Sequence, residues 1–149
     1  GAMGASQGGG LALACAALTP TLRCVCTEMP FLCDFPRMWA MANPNGASSE
    51  IHDFFRLSDP RHLRQEELFE RLGYVDMVNL APRIEAETLL LCGLRDHECP
   101  PSTQFAAFNA ISAPKRYELY PDFGHEVCYD MEDEAAAFLY GALEGEEKR

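Results

Sequence analysis

The chain has 149 residues, 48% hydrophobic and 23% charged, the size and balance of one soluble globular domain or a large piece of a bigger one. Twelve Lys and Arg stand against 23 Asp and Glu, and the net charge of −11 excludes nucleic acid or an anionic membrane surface as main partner by repulsion. No apolar run reaches the ~18 residues that span a bilayer, and no basic signal-peptide region opens the chain, so a cytoplasmic protein is expected.

In chain order, Gly1-Ala2-Met3 reads either as a cleavage scar ahead of Met3 or as the tail of a strand. The glycine-rich stretch 4–10 runs into an Ala/Leu segment, 11–18, of high helix propensity, stopped by Thr19-Pro20. A short apolar run over 22–28, ended by Pro30, predicts a strand. The stretch 31–42 predicts a helix with Pro36 near its start, broken by Asn43-Pro44-Asn45-Gly46. Ser48 or Ser49 caps a helix reaching Leu57, with Ile51, Phe54 and Phe55 on one face. Asp59-Pro60 caps the next, to Leu72, with Leu63, Leu68 and Leu72 as its apolar side.

The continuous apolar run 88–94 suits a parallel strand buried on both faces. A helix is expected after Pro100-Pro101-Ser102, a strand over 116–120, and a last helix over 132–143 with a solvated charged tail. Strand and helix alternate, which makes the class α/β with a mostly parallel sheet and flanking helices. No internal repeat or low-complexity linker interrupts it, so residues 1–149 read as one domain.

Gly4-x-Ser6-x-Gly8 fits a nucleophile elbow, in which a serine projects from a sharp strand-to-helix turn and the flanking glycines relieve crowding. The alternative is a flexible glycine-rich end. A serine nucleophile needs a base, and the base needs an orienting acid. His52 and His62 fall on charged helices and read as solvated, while His97 and His125 fall in loops after strands. Asp96 follows the 88–94 strand, and His125 follows the 116–120 strand. The order Ser6, Asp96, His125, each just past a strand, is the order of α/β-hydrolases, whose sites form at the carboxyl ends of the strands.

The seven cysteines are odd in number and fall mostly in apolar segments, so they read as buried reduced thiols and not as a disulfide framework. No Cys-x2-Cys pair or His at ligand spacing points to zinc, and neither a metal nor another cofactor is expected. Phe54, Phe55, Phe105 and Phe108 read as packing residues. Trp39, beside Met38 and Met41, either covers the core or lines a substrate pocket.

Several strings together resemble the acetyl xylan esterase and cephalosporin C deacetylase family, carbohydrate esterase family 7. They are Gly4-Ala5-Ser6-Gln7-Gly8-Gly9-Gly10, Pro30-Phe31-Leu32-Cys33-Asp34-Phe35, Tyr74-Val75-Asp76, Gly93-Leu94-Arg95-Asp96, Cys99-Pro100-Pro101-Ser102-Thr103 and Gly124-His125-Glu126. The resemblance implies an α/β-hydrolase fold and hydrolysis of small acetyl esters, such as acetylated sugars or cephalosporin-type acetates. It implies Ser6 as nucleophile, Asp96 as orienting acid, His125 as general base, and the Gln7 backbone N–H as an oxyanion donor.

Members of that family carry about as much chain again before the elbow, including the second oxyanion donor and a segment used in oligomer contacts. A fold lacking those N-terminal strands is therefore expected, with the elbow strand missing or reduced to residues 1–4. The 22–28 strand would then be an exposed edge, and edge pairing into a homo-oligomer follows as an expectation. A catalytically weak half that serves as an assembly module is the alternative function.

Overall fold

The computed structural model describes residues 1–41 and 46–144. The predicted break at Asn43-Pro44-Asn45 and the tail 145–149 lie outside the described residues. Four strands, β1 (Ala2–Ala5), β2 (Cys24–Glu28), β3 (Glu87–Gly93) and β4 (Lys115–Tyr120), form one parallel sheet in the order β1-β2-β3-β4. Parallel pairing requires a crossover between successive strands. Helix α1 (Gln7–Leu18) links β1 to β2 and α6 (Pro101–Ala110) links β3 to β4. The long β2–β3 crossover carries α2 (Phe35–Ala40), α3 (Ser49–Ser58), α4 (Gln65–Leu72), α5 (Met77–Leu80) and a 3-10 turn at Ala81–Arg83. Helix α7 (Tyr129–Glu144) closes the described chain.

The alternation of the two central strands divides the core. Val25, Leu90 and Cys92 face α1, α5 and α6, packing with Leu13, Ala17, Met77 and Phe108. Cys24, Cys26, Leu89 and Leu91 face the other way, against Met131, Ala135 and Phe138 of α7. Every residue of β2 and all but the first of β3 are buried, the signature of strands covered on both faces. A third cluster forms where α3 and α4 close over α2. There Trp39 lies 4.4 Å from His52, 4.7 Å from Phe55 and 5.7 Å from His62, centroid to centroid.

The α/β class and parallel sheet agree with the sequence expectation, and four details correct it. The elbow strand is present in the reduced form, as β1, paired from Ala2↔Val25 to Ala5↔Glu28, so β2 has a neighbour on each side and is not the edge expected. The 31–42 helix shrinks to α2 because Leu32 and Asp34 take left-handed φ of 64° and 52°, which a helix cannot contain. The Asp59 carboxylate accepts from the N–H groups of Leu63 and Arg64 (2.9 and 2.7 Å), closing a turn, and α4 starts only at Gln65. His52 and His62 both stack in the aromatic cluster, His52 half-buried and His62 still exposed to solvent as expected. All seven cysteines are unbridged, and Cys24, Cys26, Cys33, Cys92 and Cys99 are buried, but Cys15 lies on the exposed face of α1. Among the described residues no helix is long and apolar enough to cross a membrane.

Candidate active site

Ser6, Asp96 and His125 all lie at the carboxyl edge of the sheet, just past β1, β3 and β4 respectively. Ser6 sits between the last residue of β1 and the first of α1 with φ 54° and ψ −121°, a conformation strained for a residue with a Cβ. Backbone bonds hold it there. Its N–H donates to the Glu28 carbonyl (2.9 Å), and its carbonyl accepts from Phe31 N–H (2.9 Å) and Gly10 N–H (3.1 Å). A methyl group at Gly4 would collide with the Gly8 carbonyl, so the first elbow glycine is required by close approach. Gly8 itself has open space where a Cβ would point, which corrects the expectation that both flanking glycines relieve crowding.

Gln7 is the first residue of α1, where the leading N–H groups have no carbonyl one turn back to receive them. The 12-residue helix adds the positive end of its dipole at that point, close to the Ser6 hydroxyl. An anion forming on Ser6 would meet both.

The loop carrying His125 is stitched to the end of β3. Leu94 N–H donates to the Tyr120 carbonyl (3.0 Å) and Arg95 N–H to the Phe123 carbonyl (2.9 Å). A side chain at Gly93 would strike the Phe123-Gly124 backbone, so this glycine sets how closely the loop can approach. Tyr120 Oη donates to Asp130 Oδ2 at 3.0 Å, tying the end of β4 to the start of α7 and framing the loop from its far side.

The three side chains form one hydrogen-bonded line. His125 Nε2 is 2.8 Å from Ser6 Oγ, and His125 Nδ1 is 2.9 Å from Asp96 Oδ2. The Asp96 carboxylate is fully buried and surrounded by donors: Glu98 N–H (2.9 Å) and Cys99 N–H (2.8 Å) on Oδ1, and Gln104 Nε2 (3.3 Å) on Oδ2. With that many donors Asp96 acts as acceptor, which assigns the proton to His125 Nδ1 and leaves Nε2 to accept from Ser6. The Asp96 hydrogen bond raises the His125 pKa above 6.5; partial burial opposes the shift, and the charges of Asp96 and Glu98 reinforce it.

Two further residues adjoin the triad: Cys99, whose loop position near Asp96 suggests a reactive thiol but which the family resemblance makes structural, and Gln104, which no motif marks. Cys99 is wholly buried with its thiol against the Ser6 hydroxyl, and burial with the Asp96 charge pushes its pKa to about 12. Gln104 is a buried amide on the inward side of α6, beside Thr103, Ala107 and Phe108. A lone amide on such a face was the available signal. His97 lies with Met41, Leu94, Asp96, Pro100, Pro101 and Ser102 around an open cleft of about 650 Å³ next to the line. Trp39 belongs to the aromatic cluster and does not line this cleft.

The comparisons with known proteins agree with one another. The family profile described as acetyl xylan esterase (AXE1) matches residues 1–142. The chain is 34% identical over 118 residues to the acetyl esterase Axe7A of Xylanibacter ruminicola, which covers 79% of this chain and 25% of that protein. The fold superposes on acetyl xylan esterase 1 from Thermoanaerobacterium sp. JW/SL YS485 with a TM-score of 0.91 at 51% identity, covering 94% of this chain and 44% of that one. For the acetyl xylan esterase of Paenibacillus sp. R4 the TM-score is 0.89 at 42% identity, over 93% of this chain and 43% of that one. The chain thus spans less than half the length of these relatives, and by both profile and fold it belongs to the acetyl xylan esterase family.

Proposed function

We propose that the chain carries the catalytic apparatus of a serine esterase that hydrolyses small acetyl esters, with Ser6, His125 and Asp96 as its triad. The observation that carries this reading is the continuous Ser6–His125–Asp96 line at 2.8 and 2.9 Å, assembled from three different strand ends. Ser6 Oγ attacks the acetyl carbonyl as His125 Nε2 takes its proton, and Asp96 steadies the imidazolium through Nδ1–H. The carbonyl oxygen, now negative, accepts from Gln7 N–H at the start of α1. Collapse expels the alcohol, protonated by His125, and leaves Ser6 acetylated. A water deprotonated by His125 then releases acetate and restores the serine.

Acetylated sugars and cephalosporin-type acetates are the substrate classes that the sequence resemblance implies. The family resemblance implies a second oxyanion donor in chain preceding the elbow, and one such donor is worth about 10²–10³ in rate. The chain spans 44% of the Thermoanaerobacterium relative, and the alternative reading is a module that keeps the triad residues but serves assembly.

Two measurements separate these readings. Ser6→Ala is expected to abolish hydrolysis of p-nitrophenyl acetate, and survival of activity would reject the triad. A fluorophosphonate probe is expected to label Ser6 in the wild type, and no labelling at any concentration selects the assembly reading.

A further inference from the structure

Two members of the triad share a donor set with Cys99, a buried thiol that ester hydrolysis does not require. Asp96, Cys99 and His125 each present one ligating atom, and these three atoms lie within 4.8 Å of one another. They are an oxygen, a sulfur and a nitrogen on side chains 29 residues apart or less, two of them buried and the third half-buried. Neither sequence spacing nor any Cys-x2-Cys pair announces them, because the β4 crossover brings His125 back to the Asp96 turn. We propose that Asp96, Cys99 and His125 form a binding site for a thiophilic divalent cation of the zinc and cadmium class, and that its occupation shuts the esterase site.

Zinc accepts imidazole nitrogen, thiolate sulfur and carboxylate oxygen with bond lengths of about 2.0–2.3 Å, which sets tetrahedral donors about 3–4 Å apart. The Asp96 oxygen and His125 Nδ1, 2.9 Å apart, are already near that spacing. Bringing in the sulfur takes a movement of about 1 Å. An open cleft borders Asp96, lined also by His97 and Pro100. Binding replaces the Cys99 S–H bond with an S–metal bond and releases that proton to solvent; the His125 proton leaves Nδ1, which becomes the ligating atom, and the imidazole takes the Nε2–H tautomer facing Ser6 Oγ. Magnesium and calcium, which prefer all-oxygen ligands, do not suit a site with a thiolate.

Occupation removes His125 from its role as base, so the loss of esterase activity rests on the proposed function, while metal binding does not. The probe is cadmium chloride, titrated into the whole chain while the ultraviolet thiolate-to-cadmium charge-transfer band is followed. The wild type, Ser6→Ala and Cys15→Ser are expected to share one saturable band. Cys99→Ser is expected to lose it, and His125→Asn to weaken binding by about tenfold or more. Magnesium is expected to produce no band and no competition.

A wild type without a band, or an unchanged midpoint in His125→Asn, overturns the proposal. That second variant alters a half-exposed loop residue, so it decides the matter even if Cys99→Ser fails to fold. Fluorophosphonate labelling of metal-free protein reports separately on the esterase reading. Labelling lost on adding cadmium and restored by a chelator is the expected link between the two.

Discussion

His125 serves as a base only while Nε2 is unprotonated, and the bond to Asp96 holds its pKa above 6.5. For hydrolysis of a chromogenic acetate, kcat/KM is therefore expected to rise with pH through a midpoint above 6.5. Asp96→Asn removes the cause of the shift. Its acid limb should move to lower pH while the plateau drops, about 10⁴-fold by analogy with other serine triads. An unmoved limb would mean that another group governs the profile. Gln104 acts one step further out, donating to Asp96 Oδ2 from a wholly buried position. Gln104→Leu is expected to cost about tenfold in kcat with KM nearly unchanged, since a donor to a buried carboxylate is worth about 1.5 kcal/mol. An equal change in KM would instead indicate a substrate contact.

At the scale of elements, the segment between β2 and α2 is held by a side chain from far along the chain. Asp76 accepts from Asp34 N–H and Val78 N–H on Oδ1, and from Phe35 N–H on Oδ2, each at 2.9 Å. It thereby caps α5 and holds the left-handed residue Asp34, while the neighbouring Met77 N–H donates to the Leu32 carbonyl (2.8 Å). Asp76→Ala is expected to destabilise the fold by about 2–4 kcal/mol in urea unfolding, because one buried and two part-buried N–H groups lose their acceptor. A loss under about 0.5 kcal/mol would show that water replaces the carboxylate without penalty.

Glu28 ends β2 in the opposite condition. It is 2% exposed, and its Oε1 has no hydrogen-bond partner among the described residues. Burial, with a smaller contribution from Glu132, raises its pKa. Between the unfolded carboxyl range and that raised value, the folded chain keeps a proton that the unfolded chain has released. Stability therefore falls as pH rises through this window. Glu28→Gln should raise the urea midpoint at pH 8 and leave it nearly unchanged at pH 4. Equal midpoints at pH 8 would show that the carboxylate is solvated or paired.

At the scale of the whole molecule, β1 and β4 are the sheet edges among the described residues, and β1 is short, with Met3 about half exposed. β2, the edge expected from the sequence, lies inside the sheet. The two cores on either side of β3 can be probed in the same molecule. Leu90→Ala and Leu91→Ala open cavities on opposite faces of a strand that is fully buried there, so each is expected to cost about 2–5 kcal/mol.

What the sequence determined by itself is local and chemical. The 22–28 and 88–94 runs are strands because continuous β-branched, aliphatic and thiol side chains pack on both faces of a parallel sheet. The Ala/Leu segment after the glycines is a helix by propensity, and the Gly-x-Ser-x-Gly string with later Asp96 and His125 was enough to nominate the triad. Three things needed the tertiary structure. The sequence leaves the first residues open between a cleavage scar and the tail of a strand, and the pairing of 2–5 with 25–28 decides for the strand. The Asp76 tie spans 41 and 42 residues, so no local pattern contains it. The meeting of Ser6 with His125 across 119 residues, and of Cys99 and Gln104 with Asp96, depends on sheet register and on the return of each crossover to the same sheet edge. Residue type sets which chemistry is available; the packing of distant segments sets which atoms come within 3 Å.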